Sequence, residues 1–89
     1  MVRKATDTNG RDHEIHAWYL ARNGWEYWQT EQADEHGYAF GYVMGDAGEW
    51  GSFNIHEIKE FLMSHAVGNE LFELAPPANG CLSWEWQEN

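Results

Sequence analysis

The chain of 89 residues has one cysteine, two prolines and only five Lys or Arg side chains. A single thiol, Cys81, excludes an internal disulfide and fits a reducing cytoplasm. Its apolar runs fall far short of the roughly 20 residues that cross a bilayer, so no membrane segment is expected. Met1–Gly10 carries an Arg-Lys pair followed by charges rather than an apolar stretch, which is unlike a signal peptide. The expectation is a soluble, cytoplasmic protein. A Gly-rich phosphate loop is missing as well. The glycines at 41, 45, 48 and 51 lie among strands and acids, not before a helix that carries Lys.

Positive charge is the scarcest commodity. From Asn23 onward twelve acidic side chains stand against one basic one, Lys59, a net −11. The first 22 residues hold the other four cations (Arg3, Lys4, Arg11, Arg22) against Asp7, Asp12 and Glu14, a net +1. A field of one sign repels phosphate and attracts basic surfaces, and it says nothing about fold. Direct nucleic-acid binding is disfavoured, because such complexes draw much of their affinity from counterions released by cationic side chains.

Aromatic side chains are plentiful: six Trp, four Tyr and four Phe in a chain that is 43% hydrophobic. That is enough apolar surface to fold despite the charge. The length fits one domain. Met1 to about Asp12 is polar and aperiodic and reads as a flexible N-terminal arm (residues 1–12), leaving a single domain over 13–89. Asn23-Gly24 between two aromatic-rich runs is a hairpin signal, expected as a type I′ turn. In Tyr38–Gly45, large residues (Tyr38, Phe40, Tyr42, Met44) alternate with small ones (Ala39, Gly41, Val43, Gly45), which suggests packing against a helix. Trp50–Phe53 reads as a short strand.

A helix should begin at Asn54, a good N-cap with Glu57 three residues on, as in a capping box. Phe53 and Ile58 are placed for a hydrophobic staple, and Ile55, Ile58, Phe61 and Leu62 form one stripe. Glu70–Leu74 and Cys81–Trp86 read as further short strands. The fold class is therefore α+β: an antiparallel sheet of four to five strands with one helix, about 54–65, packed on one face.

Three segments carry a likeness. Trp25-Glu26-Tyr27-Trp28-Gln29-Thr30-Glu31, Phe40-Gly41-Tyr42-Val43-Met44-Gly45 and Glu49-Trp50-Gly51-Ser52-Phe53-Asn54-Ile55-His56-Glu57-Ile58 resemble a family of small bacterial proteins of unknown function. Its members are carried on plasmids and other mobile elements. The resemblance spans roughly residues 25–60. It implies a strand–turn–strand–helix core and a genomic setting in which inhibitors of host defence, anti-CRISPR or anti-restriction, are common. It implies no catalytic residue.

Candidate chemistry is weighed against plainer explanations. Glu31, Asp34, Glu35, Asp46 and Glu49 sit on strand ends or turns, and Glu57 and Glu60 share a helix face. If they converge, they imitate the charge of a nucleic-acid backbone. Otherwise they are a solvated surface kept for solubility. Most aromatics are expected in the core, with Trp50 and Trp86 as exposed exceptions, Trp50 serving as an interface anchor. Asp12-His13-Glu14 with His16 offers metal-type ligands, but without a third and fourth partner the pattern is weak. Neither Cys81 nor the carboxylates form a recognisable catalytic set, so no enzyme and no cofactor or metal is expected.

The leading expectation is a non-enzymatic acidic inhibitor from a phage or mobile element. It occupies a basic nucleic-acid-binding surface of a host protein complex through Glu31, Asp34, Glu35, Asp46, Glu49, Glu57 and Glu60, anchored by Trp50. The alternatives are a small carbohydrate- or ligand-binding module using exposed Trp, or an acidic subunit of a larger assembly, as a homodimer or with an obligate partner.

Overall fold

The computed structural model describes residues 3–7, 9–74 and 87–88. Among these residues eight strands and one α-helix follow in the order β1 (Arg3–Thr6), β2 (Asp12–Ile15), β3 (Ala17–Ala21), β4 (Glu26–Gln29), β5 (Tyr38–Met44), β6 (Gly48–Asn54), α1 (Ile55–Glu60), β7 (Leu62–Val67) and β8 (Gln87–Glu88). A five-stranded antiparallel sheet has the order β6-β5-β4-β3-β7. A smaller sheet, β2-β1-β8, is joined to it because β2 runs through His16 directly into β3. The α+β class with one helix on an antiparallel sheet holds.

Both faces of the large sheet are covered, and period-two alternation sorts its residues between them. On the helix side, Ala17, Tyr19, Ala21, Tyr27, Ala39, Val43 and Phe53 pack with Ile58 of α1. The small residues of β5 are the ones that face the helix. On the other side Trp18, Trp28 and Tyr42 pack with Ile15, Ala66 and Leu71. Leu71 belongs to a 3₁₀ segment, Gly68–Glu73, where a short strand is expected from the sequence. Trp18, Trp28, Tyr42 and Trp50 stand opposite one another on β3, β4, β5 and β6, an aromatic row across the sheet.

The helix starts as expected and stops early. Asn54 Oδ1 accepts from the N–H groups of His56 (2.9 Å) and Glu57 (3.2 Å). The Phe53–Ile58 staple closes inside the helix-side core. Only the Asn54 half of the capping box forms: the described residues include no bond from Glu57 back to it. The helix ends at Glu60 rather than near 65, because Leu62–Val67 pairs with β3 as an edge strand. Val, Ser and His are mediocre helix formers, so tertiary pairing overrides the apolar stripe there.

Three connections share one geometry, and it accounts for a hairpin where a loose arm is expected. Starting at Asp7, Ala21 and Asp34, the first residue's N–H donates to the carbonyl four residues on, and its own carbonyl accepts from the glycine three residues on. Those glycines, Gly10, Gly24 and Gly37, have φ of 84°, 89° and 89°. Asn23 does not have positive φ, so the Asn-Gly hairpin closes with a three-residue loop rather than a type I′ turn. At Asp7 this turn brings β1 and β2 together, so Arg3–Thr6 is paired strand. The Cys81–Trp86 strand lies outside the described residues, as does Trp86.

Candidate functional site

The acidic residues named from sequence are all exposed: Glu31, Asp34, Glu35, Asp46, Glu49, Glu57 and Glu60. The fold divides them. Ile55 N–H donates to the Gly37 carbonyl at 2.9 Å, and Asn54 Nδ2 to the His36 carbonyl at 3.2 Å. These bonds lash the 34–37 turn to the start of α1, so Asp34, Glu35 and Glu57 gather at one corner. Glu31 lies just upstream, its N–H bonded to the Phe40 carbonyl. Asp46 and Glu49 sit at the far end of the β5–β6 hairpin. Glu49 is five residues from Asn54 along β6, roughly 16 Å at strand rise. Glu60 ends the helix near the β3–β4 loop, where Arg22 N–H bonds the Phe61 carbonyl.

Two of the seven have local work. Asp34 Oδ1 accepts from the His36 N–H (2.8 Å) and the Tyr38 N–H (2.9 Å), so this carboxylate builds its own turn. The Tyr38 bond, with that of His36 behind it, holds the Asp34 carboxyl below its usual value. Glu35 sits 3.5 Å from the His36 ring, with both side chains well exposed. Among the described residues no carboxylate forms an ion pair with Lys or Arg, and the two ion pairs found both use histidine.

Trp50 does not join the acids, and its assignment as an exposed anchor among them is corrected. It stands opposite Tyr42, whose side chain is in the core away from the helix, whereas Glu49 stands opposite Val43 on the helix side. Neighbouring residues on a strand point to opposite faces. Trp50 is half-buried, with the His13 ring centroid 4.4 Å away, Phe40 at 6.1 Å and Tyr42 at 5.5 Å.

Around it lies a half-open cleft of about 560 Å³, lined by Asp7, Asn9, Arg11, His13, Phe40 and Trp50. Of these, the sequence singles out Trp50, as a partner contact, and His13, only as a weak metal-type ligand. The signal that locates the others is the Asp-x-x-Gly spacing at Asp7, repeated at Asp34. Asp7 is buried at the back of the turn. Its Oδ1 accepts from the Asn9 N–H (2.9 Å) and the Arg11 N–H (3.1 Å), and its Oδ2 meets His13 Nε2 at 2.8 Å. With the carboxylate ionised, Nε2 is the donor. The His13 bond first, then those from Arg11 and Asn9, hold the Asp7 carboxyl below its ordinary 3.8 against the opposing effect of burial.

That lowered pKa has a definite sign. Asp7 supports the fold fully above 3.8, and the support fades as pH falls from there through the lower folded value. Asp7→Asn keeps an acceptor for Asn9 and Arg11 but loses the charge toward His13. The variant should lose roughly 1.5 kcal/mol at pH 7. Its thermal midpoint, followed by circular dichroism from pH 7 to 2, should fall less steeply in acid than the parent's. Parallel curves would show that Asp7 is not the group concerned.

Elsewhere, His65 stacks on Tyr19 with ring centroids 6.0 Å apart and an interplanar angle of 12°. The described residues contain no cluster of three or more His, Cys, Asp or Glu suited to a metal ion. They contain no helix long and apolar enough to cross a membrane. No family model, curated protein or solved structure matches the chain.

Proposed function

We propose that this chain is a non-enzymatic acidic binding protein. Its carboxylates dock on a basic nucleic-acid-binding surface of a host protein complex and compete with DNA or RNA for it. In its finer form this is an inhibitor of the anti-CRISPR or anti-restriction kind, carried by a phage or mobile element. One observation carries the reading: the seven named acids are exposed, and no described carboxylate is neutralised by Lys or Arg. Their field is available to another macromolecule, which speeds association with a basic partner and weakens with salt.

The division of the acids into two corners sharpens the test. Among the described residues the Asp46 and Glu49 carboxylates hold no side-chain hydrogen bond or ion pair, unlike Asp34. Asp46→Lys with Glu49→Lys should slow association with a basic partner captured from host lysate by about tenfold or more. The melting temperature should stay within about 2 °C of the parent, as befits exposed substitutions. Nucleic acid should displace the protein from that partner. Association unchanged by the double reversal, or no competition with nucleic acid, sinks the reading.

The cleft favours a second reading, a small-ligand module. Its size falls within the roughly 300–1,000 Å³ of ligand pockets, and it combines aromatic faces with polar groups. Such a module would bind its ligand undiminished at high salt and lose it on Trp50→Ala.

A further inference from the structure

The large sheet ends in two unlike edges. Strand β6 presents the exposed Glu49, and its Trp50 lies beneath His13 of the small sheet. Strand β7, Leu62–Val67, contains no Asp, Glu, Lys or Arg. Among the described residues nothing pairs with its outer side, so alternate backbone N–H and C=O groups point outward there without a partner from the described residues. Natural proteins usually blunt such an edge with charge, proline or a bulge. Here a register shift at Met63 bulges one end, leaving Ser64–Val67 regular.

Apolar exposure concentrates at the same edge. Of the four large hydrophobic side chains exposed among the described residues, three are Phe61 (37%), Met63 (68%) and Val67 (45%). Acids bracket the strand. Glu60 ends α1 just before it, and Glu70 and Glu73 follow it in the 3₁₀ segment, all three exposed. Lys59, next to Glu60, is the single Lys or Arg from Asn23 onward.

We infer that β7 accepts an added strand from a basic partner: an extended segment with aliphatic residues in its middle and Lys or Arg at both ends. Main-chain bonds to the open edge supply affinity, and side-chain complementarity supplies selectivity. The charge pattern chooses between occupants. A second copy pairing antiparallel would lay the Glu60 end of one chain against the Glu70–Glu73 end of the other, at both ends of the joint. Like charges so placed repel, whereas a Lys-flanked segment meets opposite charge at each end. The inference rests on the basic-partner reading above and names where on the surface that partner grips.

The probe is a synthetic (Thr-Val)₃ peptide flanked by lysines, with a glutamate-flanked twin as control. Amide chemical shifts of the full chain are followed during titration. The lysine peptide should saturate, with shifts confined to β7 and the neighbouring β3, and the glutamate twin should not bind. Val67→Lys and, separately, Met63→Lys should weaken binding of the lysine peptide about tenfold with an unchanged melting curve, since both side chains are exposed.

No binding up to about 1 mM, equal binding of both peptides, or shifts centred on Asp46–Glu49 would overturn the inference. Sedimentation showing a dimer of the unliganded chain that Val67→Lys dissolves would hand the edge to a second copy instead. The two proposals fail separately. If the β7 variants retain the captured partner while Asp46→Lys with Glu49→Lys loses it, only this inference is lost.

Discussion

Replacing Gly41 by alanine should cost about 4 kcal/mol or more, leaving the protein close to unfolded at room temperature. Gly41 lies in the middle of β5, opposite Gln29 on β4 and Gly51 on β6. A methyl group there would fall inside the envelope of the Trp28 carbonyl oxygen. It would also come within 2.9 Å of the Trp28 carbonyl carbon and 3.1 Å of Gln29 Cα. These are backbone atoms held by the ladder, so no side chain can swing aside. The two central strands would have to part. Gly51 supplies the control one strand away, because a methyl group added there meets nothing within 4 Å. Gly51→Ala should be neutral to within about 0.5 kcal/mol, or slightly stabilising, since glycine weakens a strand. Urea unfolding followed by Trp fluorescence measures both. Equal effects at the two positions would mean that the close approach of the Trp28 backbone does not explain the glycine at 41.

How much of this fold is legible beforehand follows from the range over which each signal acts. Asn54 as N-cap, the Phe53–Ile58 staple and the large/small alternation of β5 are local, and each is found as the sequence suggests. The end of the helix is not local. Phe61 and Leu62 continue the apolar stripe, but their fate depends on whether β3 needs a partner on its free side. It takes Leu62–Val67, and the last four residues of the expected helix, 62–65, become part of an edge strand. The β1–β2 hairpin is missed for another reason. Its turn depends on Asp7 accepting two backbone N–H groups with a glycine three residues later, a pattern that resembles an ordinary polar loop until it recurs at Asp34.

The candidate site is less legible than the fold. Alternation gives the opposite facing of Glu49 and Trp50 as soon as β6 is placed, yet which layer lies on each side needs the whole topology. The acids named from sequence are exposed, but convergence on one patch requires register and loop path, and these set Asp46 and Glu49 well apart from Asp34, Glu35 and Glu57. Asp34 also shows that an exposed carboxylate can be committed: two backbone N–H groups already use it. Reversing its charge would disturb the turn and the helix start together, so it is a poor probe of any partner.

Truncating Trp28 to alanine should remove about 3–5 kcal/mol, a drop in melting temperature of at least roughly 12 °C for a domain of this size. The side chain is 2% exposed and lies at the centre of the aromatic row, with Trp18 edge-on at 6.3 Å and Tyr42 opposite on β5. Nothing nearby is free to fill the space that a missing indole would leave, because Ile15, Ala66 and Leu71 are themselves buried in the same cluster. Phenylalanine separates volume from polarity. Among the described residues the Trp28 indole N–H is buried without an acceptor, a group whose desolvation costs about 1–3 kcal/mol. Trp28→Phe therefore loses ring volume but relieves that penalty, and should fall within about 1 kcal/mol of the parent. Unfolding free energies of the three proteins decide the matter. A Phe variant as damaged as the Ala variant would show that the indole N–H is satisfied and that its bond, rather than packing alone, holds the centre of the sheet.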